Sequence, residues 1–152
     1  MAMLVDTCIL LRAFDANSPH YRSIRRSLRK AIDENIRLVV TVQNIAEFWN
    51  VGTRPLDKNG HGLSAKKIKR RVEIIERICE VISEDKVSYE DWKRIVEQLS
   101  VSGVKVHDAR LVSVMLRGGV REILTLNEGD FERYKNEGIS IVTPDNFLGP
   151  VS

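Results

Sequence analysis

The sequence has few cysteines and no long apolar run, and both deficits limit the class of protein. Cys8 and Cys79 each stand among apolar residues, which predicts two reduced core thiols rather than a disulfide or a metal pair. No apolar run approaches the length of a membrane span, and the first residues lack the basic start of a signal peptide. We therefore expect a soluble, cytoplasmic protein without a membrane partner.

Repeats, low-complexity segments and a glycine-rich phosphate loop are also missing. Because no such loop follows the first apolar run, a dinucleotide-binding domain is disfavoured. The 152 residues, of which 43% are hydrophobic and 30% charged, predict one globular domain over 1–152. A net charge of +3 and a pI near 9.0 allow a nucleic-acid partner without requiring one.

Short apolar runs alternate with amphipathic segments along the chain. The runs that predict strands are 3–6, 37–41, 79–83, 122–126 and 140–142. The segments that predict helices begin near 9, 19, 42, 64, 88, 108 and 130, with expected N-caps at Thr7, Ser18 (before Pro19), Thr41, Ser64 and Ser88. We expect a mobile loop over Gly52–Gly62 and an irregular tail from Pro144. This alternation predicts an α/β fold, a single-domain three-layer α/β/α sandwich with a mostly parallel central sheet.

Four acidic residues lie where predicted strands turn towards helices. Asp6 ends the first run, Glu47 follows the second by about one and a half helical turns, Asp108 opens an apolar helix, and Asp130 follows the strand near 124. The carboxyl ends of parallel strands face one crevice, and carboxylates gathered there repel each other unless a cation lies between them. Oxygen ligands suit Mg²⁺ or Mn²⁺, so the pattern predicts a metal-dependent site for a phosphate-bearing substrate.

Each acid also has a purely structural interpretation. Asp6 and Asp108 could cap the helices that follow them, and Asp130 could lie in a plain turn. Glu47 is harder to explain in this way, because Phe48 and other apolar residues cover most of its helix. A buried glutamate is rare unless it is paired or bound to a metal.

Four segments resemble the motifs of PIN-domain ribonucleases. They are Leu4–Leu10 (LVDTCIL), 46–48 (AEF), 106–109 (VHDA) and 124–131 (LTLNEGDF), in the family's order and over essentially the whole chain. The length is similar to that of stand-alone members of the VapC-like toxin type. The resemblance implies a compact α/β/α fold and cleavage of single-stranded RNA with Mg²⁺ or Mn²⁺.

The resemblance also assigns roles to residues. It implies that Asp6, Glu47 and Asp108 are metal ligands, with Asp130 as a fourth acid that holds a second metal or orients water. In some relatives an acid stands at the position of Asn127, so either Asn127 or Asp130 could face the metal. The hydroxyls of Thr7 and Thr125 would orient carboxylates or the attacking water.

Other candidate contacts are less specific. His107 adjoins Asp108, but neighbours on a helix point apart, so we expect a structural or substrate-contacting role rather than a general base. The basic segments Arg22–Lys30 and Lys66–Arg71 could contact phosphates, although a solvated polar face explains each of them singly. Trp49, which the pattern turns inward, and Trp92 could stack bases, but Trp92 fits a core stripe better.

These patterns lead to one main hypothesis and two alternatives. The main hypothesis is a metal-dependent endoribonuclease, the toxin of a toxin–antitoxin pair, with RNA as substrate and an antitoxin as partner. One alternative is a non-catalytic PIN-like RNA-binding or scaffold protein. Phosphoryl transfer through an aspartyl intermediate is disfavoured, since Cys8 stands where a second aspartate is usually needed. The resemblance also implies a homodimer, with 19–34, 52–62 and 64–78 as candidate contact surfaces.

Overall fold

The computed structural model describes residues 1–150. Its strands are β1 Ala2–Val5, β2 Arg37–Thr41, β3 Glu80–Ile82, β4 Glu122–Leu124 and β5 Ser140–Val142. Its α-helices are α1 Thr7–Arg12, α2 Tyr21–Asp33, α3 Val42–Thr53, α4 Ala65–Ile78, α5 Lys86–Gln98, α6 Val106–Arg117, α7 Glu128–Phe131 and α8 Pro144–Leu148. Short 3₁₀ helices cover Leu56–Lys58, Gly103–Lys105 and Glu132–Glu137.

The strands form one sheet in the order β3-β2-β1-β4-β5, and every neighbouring pair is parallel. Leu4 at the centre pairs with Val39 on one side and Ile123 on the other. The chain runs outward from β1 through β2 and β3, then returns to the other side of β1 for β4 and β5. The order therefore reverses between β1 and β4, and ligands of open α/β sheets bind at the carboxyl end of such a point.

Two hydrophobic clusters cover the two faces of the sheet. Met3 and Val5 of β1 point into the cluster built with α1 to α4, whereas Leu4 points into the cluster built with α5 and α6. This alternation follows from the two-residue period of a strand, and burial on both faces explains why the strands are apolar throughout. The predicted α/β/α sandwich is confirmed, with a sheet that is parallel throughout residues 1–150.

The predicted start of helix α2 is wrong. Helix α2 begins at Tyr21, with His20 in the N-cap position, instead of at Pro19 behind a Ser18 cap. The Ser18 hydroxyl instead accepts a hydrogen bond from the His20 amide (3.2 Å), so Ser18 stabilises a turn before the helix.

Helix α5 begins one turn earlier than predicted. Asp85, not Ser88, is the N-cap, and its carboxylate accepts from the Ser88 amide at 2.8 Å. The Ser88 hydroxyl accepts in return from the Asp85 amide at 2.8 Å. This reciprocal capping box places Ser88 inside the first turn. The predicted caps Thr41 and Ser64 are confirmed.

Two segments predicted to be irregular are partly helical. Helix α3 continues to Thr53, and a 3₁₀ helix occupies part of Gly52–Gly62. The expected tail from Pro144 is instead α8, where the Thr143 hydroxyl caps the Asn146 amide (3.2 Å) and Pro144 takes the first turn. Proline suits that position because its missing N–H would be unpaired there anyway.

The two tryptophans differ in environment. Trp92 packs against the α5–α6 cluster, and its indole N–H donates to the Val106 carbonyl (2.8 Å), as the core interpretation predicted. Trp49 is 37% exposed, so the prediction that it points inward is wrong. Both cysteines are free, as expected, and burial raises the pKa of Cys79 to about 12. Among residues 1–150, no helix combines the length and hydropathy needed to cross a bilayer.

Candidate metal centre

The candidate centre lies at the carboxyl edge of the sheet, where β1 and β4 end. The Asp6 amide donates to the Leu124 carbonyl (3.0 Å), so the ladder between the two strands continues up to Asp6. Strand β4 ends at Leu124, two residues before its predicted end, and leaves Thr125 at the same edge. The topology therefore brings residues 6 and 125 together from opposite ends of the sequence.

Asp6 is buried and held by three donors. Its Oδ1 accepts from the Thr7 amide (2.8 Å), and its Oδ2 accepts from the Thr125 hydroxyl (2.7 Å) and the Cys8 thiol (3.5 Å). Burial raises the pKa of Asp6, these three hydrogen bonds counteract the rise, and Glu47 adds to it. Burial also raises the pKa of Cys8 to about 11, which keeps that thiol protonated as a donor.

Asp6 also serves as the N-cap of α1, in place of the predicted Thr7. The structural interpretation of this aspartate is therefore correct, but it accounts for only one carboxylate oxygen. The other oxygen is turned towards Thr125 at the edge of the sheet. Capping and a role in the site are compatible for Asp6.

Glu47 is linked to Asp6 through the hydroxyl of Thr7. This hydroxyl donates to Glu47 Oε2 (3.0 Å), while the adjacent Thr7 amide donates to Asp6. The Gln43 side chain, one turn earlier on α3, donates to Glu47 Oε1 (2.8 Å). One residue of α1 thus fixes two carboxylates that lie 41 positions apart in the sequence.

Asn44 supports this arrangement and was missed by the sequence analysis. Its amide nitrogen donates to the Thr7 hydroxyl (3.0 Å), and its oxygen accepts from the Thr41 amide (2.9 Å). The Asn44 amide group is fully buried, so it must find partners. A Thr-x-x-Asn capping box at 41–44 was the available sequence signal, although Glu or Gln is the usual partner.

Asp108 and Asp130 meet across a lysine. Helix α6 begins at Val106, two residues before its predicted start, so Asp108 lies in the first turn rather than at the cap. Lys105 Nζ lies 2.5 Å from Asp130 Oδ1 and 3.9 Å from Asp108 Oδ2. The sequence carried no motif that marked Lys105, which lies just before the predicted start of this helix.

The acids share one electrostatic environment. The pKa of Asp108 is raised to about 6: burial is the largest cause, Asp130, Asp6 and Glu47 add to the rise, and Lys105 opposes it. The hydrogen bond to Asp130 raises the pKa of Lys105, so the ammonium stays charged. The negative charges therefore act on one another across the crevice, as the sequence pattern predicted.

Asn127 and Asp130 occupy different places. The Asn127 side chain is exposed, and its backbone amide donates to the Thr125 hydroxyl (3.0 Å). The Asp130 carboxylate instead meets Lys105 beside Asp108. His107 is exposed, and its carbonyl accepts from the Gln43 side chain.

A cavity of about 510 Å³ opens beside Glu47. The side chains of Gln43, His107 and Arg110 line it together with Glu84, which accepts from Arg110 Nη2 at 2.7 Å. The cavity gives the acidic edge a concave approach from solvent.

The donor chemistry fits a divalent cation. The four acids offer only oxygen ligands, and a cation between them would relieve the repulsion that raises the pKa of Asp108. Within residues 1–150, however, no three acidic, histidine or cysteine side chains are close enough to form a complete ligand cluster. Mg²⁺ keeps several waters and needs only one or two direct carboxylates, so a partly water-filled shell agrees with both observations.

The parallel α/β/α fold and the four acids near its carboxyl edge place this chain in the class of compact α/β domains with an acidic crevice. Residues 3–137 match the PIN domain, and the chain belongs to this family. The recognition made from the motifs is confirmed. No curated protein sequence matches the chain significantly.

Solved structures of toxin–antitoxin proteins have the same fold. DNA-bound VapBC from Salmonella typhimurium is similar with a TM-score of 0.68 and 18% identity, covering 95% of this chain and 99% of that one. A toxin–antitoxin complex from Klebsiella pneumoniae gives 0.62 and 16%, with 94% and 98% covered. VapC20 from Mycobacterium tuberculosis, described as a sarcin–ricin loop cleaving toxin, gives 0.61 and 12%, with 91% and 96% covered.

Proposed function

We propose that this protein is a divalent-metal-dependent endoribonuclease and the toxin of a toxin–antitoxin pair. The observation that carries the proposal is the network Glu47–Thr7–Asp6–Thr125, which holds two acids at the switch point of a PIN fold. A buried carboxylate with three donors and an acidic neighbour is costly for the fold, and such costs are typical of functional sites.

We assign each residue of the site a role according to its position. Asp6, Glu47 and Asp108 would hold Mg²⁺ or Mn²⁺, which supplies charge neutralisation for a phosphodiester and Lewis acidity near neutral pH. Thr7 and Thr125 fix the carboxylate oxygens in place by donating to them. Loss of such a hydrogen bond to a metal ligand typically lowers metal affinity or activity by about 10-fold to 100-fold.

RNA as the substrate rests on the family and on one relative. VapC20, which shares the fold, is described as cleaving the sarcin–ricin loop. The basic face of α2 supports this substrate only in part. Arg25 donates to the Ala13 carbonyl (2.7 Å) and Lys30 to the Phe147 carbonyl (2.6 Å), so two of its cations are engaged within the fold.

The partners and the compartment belong to the same proposal. The Klebsiella pneumoniae neighbour is a toxin–antitoxin complex, which supports an antitoxin partner here. We also propose a homodimer that acts in the cytoplasm. The two free cysteines are consistent with a reducing compartment.

Cleavage of a panel of structured and single-stranded RNAs tests the enzyme. Wild type and Asp6→Asn are compared in Mn²⁺, in Mg²⁺ and in EDTA, with Asp33→Asn as the matched control because Asp33 is an exposed helix residue. Cuts that need the metal and vanish only in Asp6→Asn support the proposal. Equal cleavage by Asp6→Asn and wild type would contradict it.

A non-catalytic PIN-like RNA-binding or scaffold protein is the second candidate. It is favoured by the absence of a complete ligand cluster in residues 1–150 and by the Lys105–Asp130 ion pair. Titration calorimetry with Mn²⁺ separates the two functions. A scaffold should show no Mn²⁺ binding that depends on Asp6.

A further inference from the structure

Lys105 brings a positive charge into the acidic crevice. It ends the 3₁₀ helix Gly103–Lys105 and immediately precedes α6, so the first turn that carries Asp108 also fixes the lysine. Its ammonium contacts Asp130 Oδ1 at 2.5 Å and reaches within 3.9 Å of Asp108 Oδ2. An ammonium between two carboxylates stands where a second cation would otherwise have to bind them.

Among residues 1–150, no basic side chain pairs with Asp6 or Glu47. The hydrogen-bond donors to Asp6 and Glu47 are neutral hydroxyl, thiol and amide groups. These donors orient the carboxylates and leave their negative charge uncompensated. Within the described part of the chain, this is therefore the side of the crevice that needs an external cation for charge balance.

We propose that Lys105 takes the place of a second metal ion, so that the chain binds one divalent ion, whose charge is balanced mainly by Asp6 and Glu47. Asp130 then acts as the anchor of the lysine rather than as a metal ligand. This inference rests on the proposed metal dependence and specifies its stoichiometry. It makes Lys105 a positioning residue for the Asp108–Asp130 side of the site.

The local geometry supports a built-in role for this lysine. Gly103 starts the 3₁₀ turn with a φ of +63°, a conformation that glycine adopts without strain, and the turn directs residue 105 towards α7. A lysine is a point charge on a flexible stem and can neutralise two carboxylates without a fixed ligand geometry. Met at the same position keeps the length of the stem but removes the charge.

The test counts Mn²⁺ ions per chain by titration calorimetry, with no RNA present. Wild type is expected to bind one ion and Lys105→Met two, because Asp108 and Asp130 then lack their cation. Lys135→Met is the matched control: Lys135 pairs with Glu132 at 2.9 Å on the surface, and its loss should leave one ion.

Asp130→Asn provides a second variant that does not depend on Lys105→Met folding correctly. It should still bind one ion with affinity within about threefold of wild type. The Mn²⁺ affinity of Asp6→Asn should fall by about 10-fold to 100-fold or more, which is typical when a metal ligand or its partner is disturbed.

Each outcome decides the question. Two ions in wild type, one ion in folded Lys105→Met, or an Asp130→Asn loss as large as that of Asp6→Asn would overturn the inference and leave the proposed nuclease standing. No Mn²⁺ binding by wild type would instead overturn the proposed metal dependence itself, and the inference would fall with it.

Discussion

The two sides of the acidic crevice are built on different physical principles. We call Asp6 and Glu47 the hydroxyl-held pair, because Thr7 and Thr125 donate to them, and Asp108 and Asp130 the lysine-held pair, because Lys105 lies between them. Asp6 is buried, whereas Asp108 and Asp130 are partly exposed.

The difference shows how a fold can concentrate negative charge without unfolding itself. Neutral donors fix the orientation of the hydroxyl-held pair but leave its charge available for a cation. Lys105 already partly neutralises the lysine-held pair, which would therefore depend less on the proposed metal. The two sides should therefore respond differently to the same change in charge.

The largest expected effect is a contrast between Asp6→Asn and Asp130→Asn in RNA cleavage. Asp6→Asn should lose on the order of 10³-fold or more, because it removes a charge that nothing else replaces. Asp130→Asn should lose about 10-fold to 100-fold, as expected for an outer partner. Rates measured in Mn²⁺ for both variants give the comparison, and equal losses would show that the two pairs are equivalent.

The second prediction concerns the Thr125 hydroxyl. Thr125→Val keeps the shape of the side chain and removes the 2.7 Å donor to Asp6, so cleavage should fall about 10-fold to 100-fold. Thr125→Ser restores the donor and should restore most of the activity. In wild type the hydrogen bond from Thr125 lowers the pKa of Asp6, so its removal should raise that pKa. The acidic limb of the pH–rate profile should therefore move to higher pH in the valine variant.

Thr53→Val is the matched control for the Thr125 prediction. The Thr53 hydroxyl donates to the Trp49 carbonyl within α3 and is remote from the acids in the hydrogen-bond network. If Thr53→Val lost as much activity as Thr125→Val, a positioning role for Thr125 would be contradicted. An unchanged pH profile in Thr125→Val would contradict it as well.

The third prediction is a change in stability with pH for the metal-free protein. The pKa of Asp108 rises from 3.8 to about 6 in the fold, so the native state binds more protons than the unfolded state between those values. Stability should therefore fall as pH rises through this window. Asp108→Asn should raise the free energy of unfolding at pH 7 by about 1–2 kcal/mol and by almost nothing at pH 4.

Urea unfolding in EDTA measures this effect. Asp6, whose pKa is also raised, contributes with the same sign, so wild type without metal should be more stable at pH 5 than at pH 7. A metal-free protein that loses stability steadily on acidification through this window would contradict the assignment.

The smallest expected effect is that of His107→Ala. A general base contributes roughly 10²-fold to 10⁴-fold, whereas removal of this exposed ring should change the cleavage rate by less than about threefold. The backbone carbonyl of His107, which accepts from Gln43, stays in place in the variant. A hundredfold loss would identify His107 as a catalytic group.

Much of the fold followed from local patterns. The apolar runs placed all five strands of residues 1–150 within two residues of their observed ends, because a strand buried on both faces has to be apolar throughout. Helix starts were less predictable. Ser88 and Asp85 can both cap, and only the reciprocal hydrogen bonds of the folded chain show which of them does.

The sequence pointed to the four acids of the candidate site but not to the groups that hold them. Asp6 follows a buried strand directly, so its place at the edge of the sheet is a local property of the chain. Lys105 and Asn44 carried no comparable signal, since their partners lie 25 and 37 residues away.

The sequence by itself determined the alternation of strands and helices, the family and the four acids, because these depend on residue type and order along the chain. Only the tertiary structure decided which groups hold each acid. The reversal of strand order between β1 and β4 brings Thr125 to Asp6 across 119 positions, and the turn before α6 brings Lys105 to Asp130. Such contacts depend on how distant segments pack, and packing sets the charge balance of this crevice.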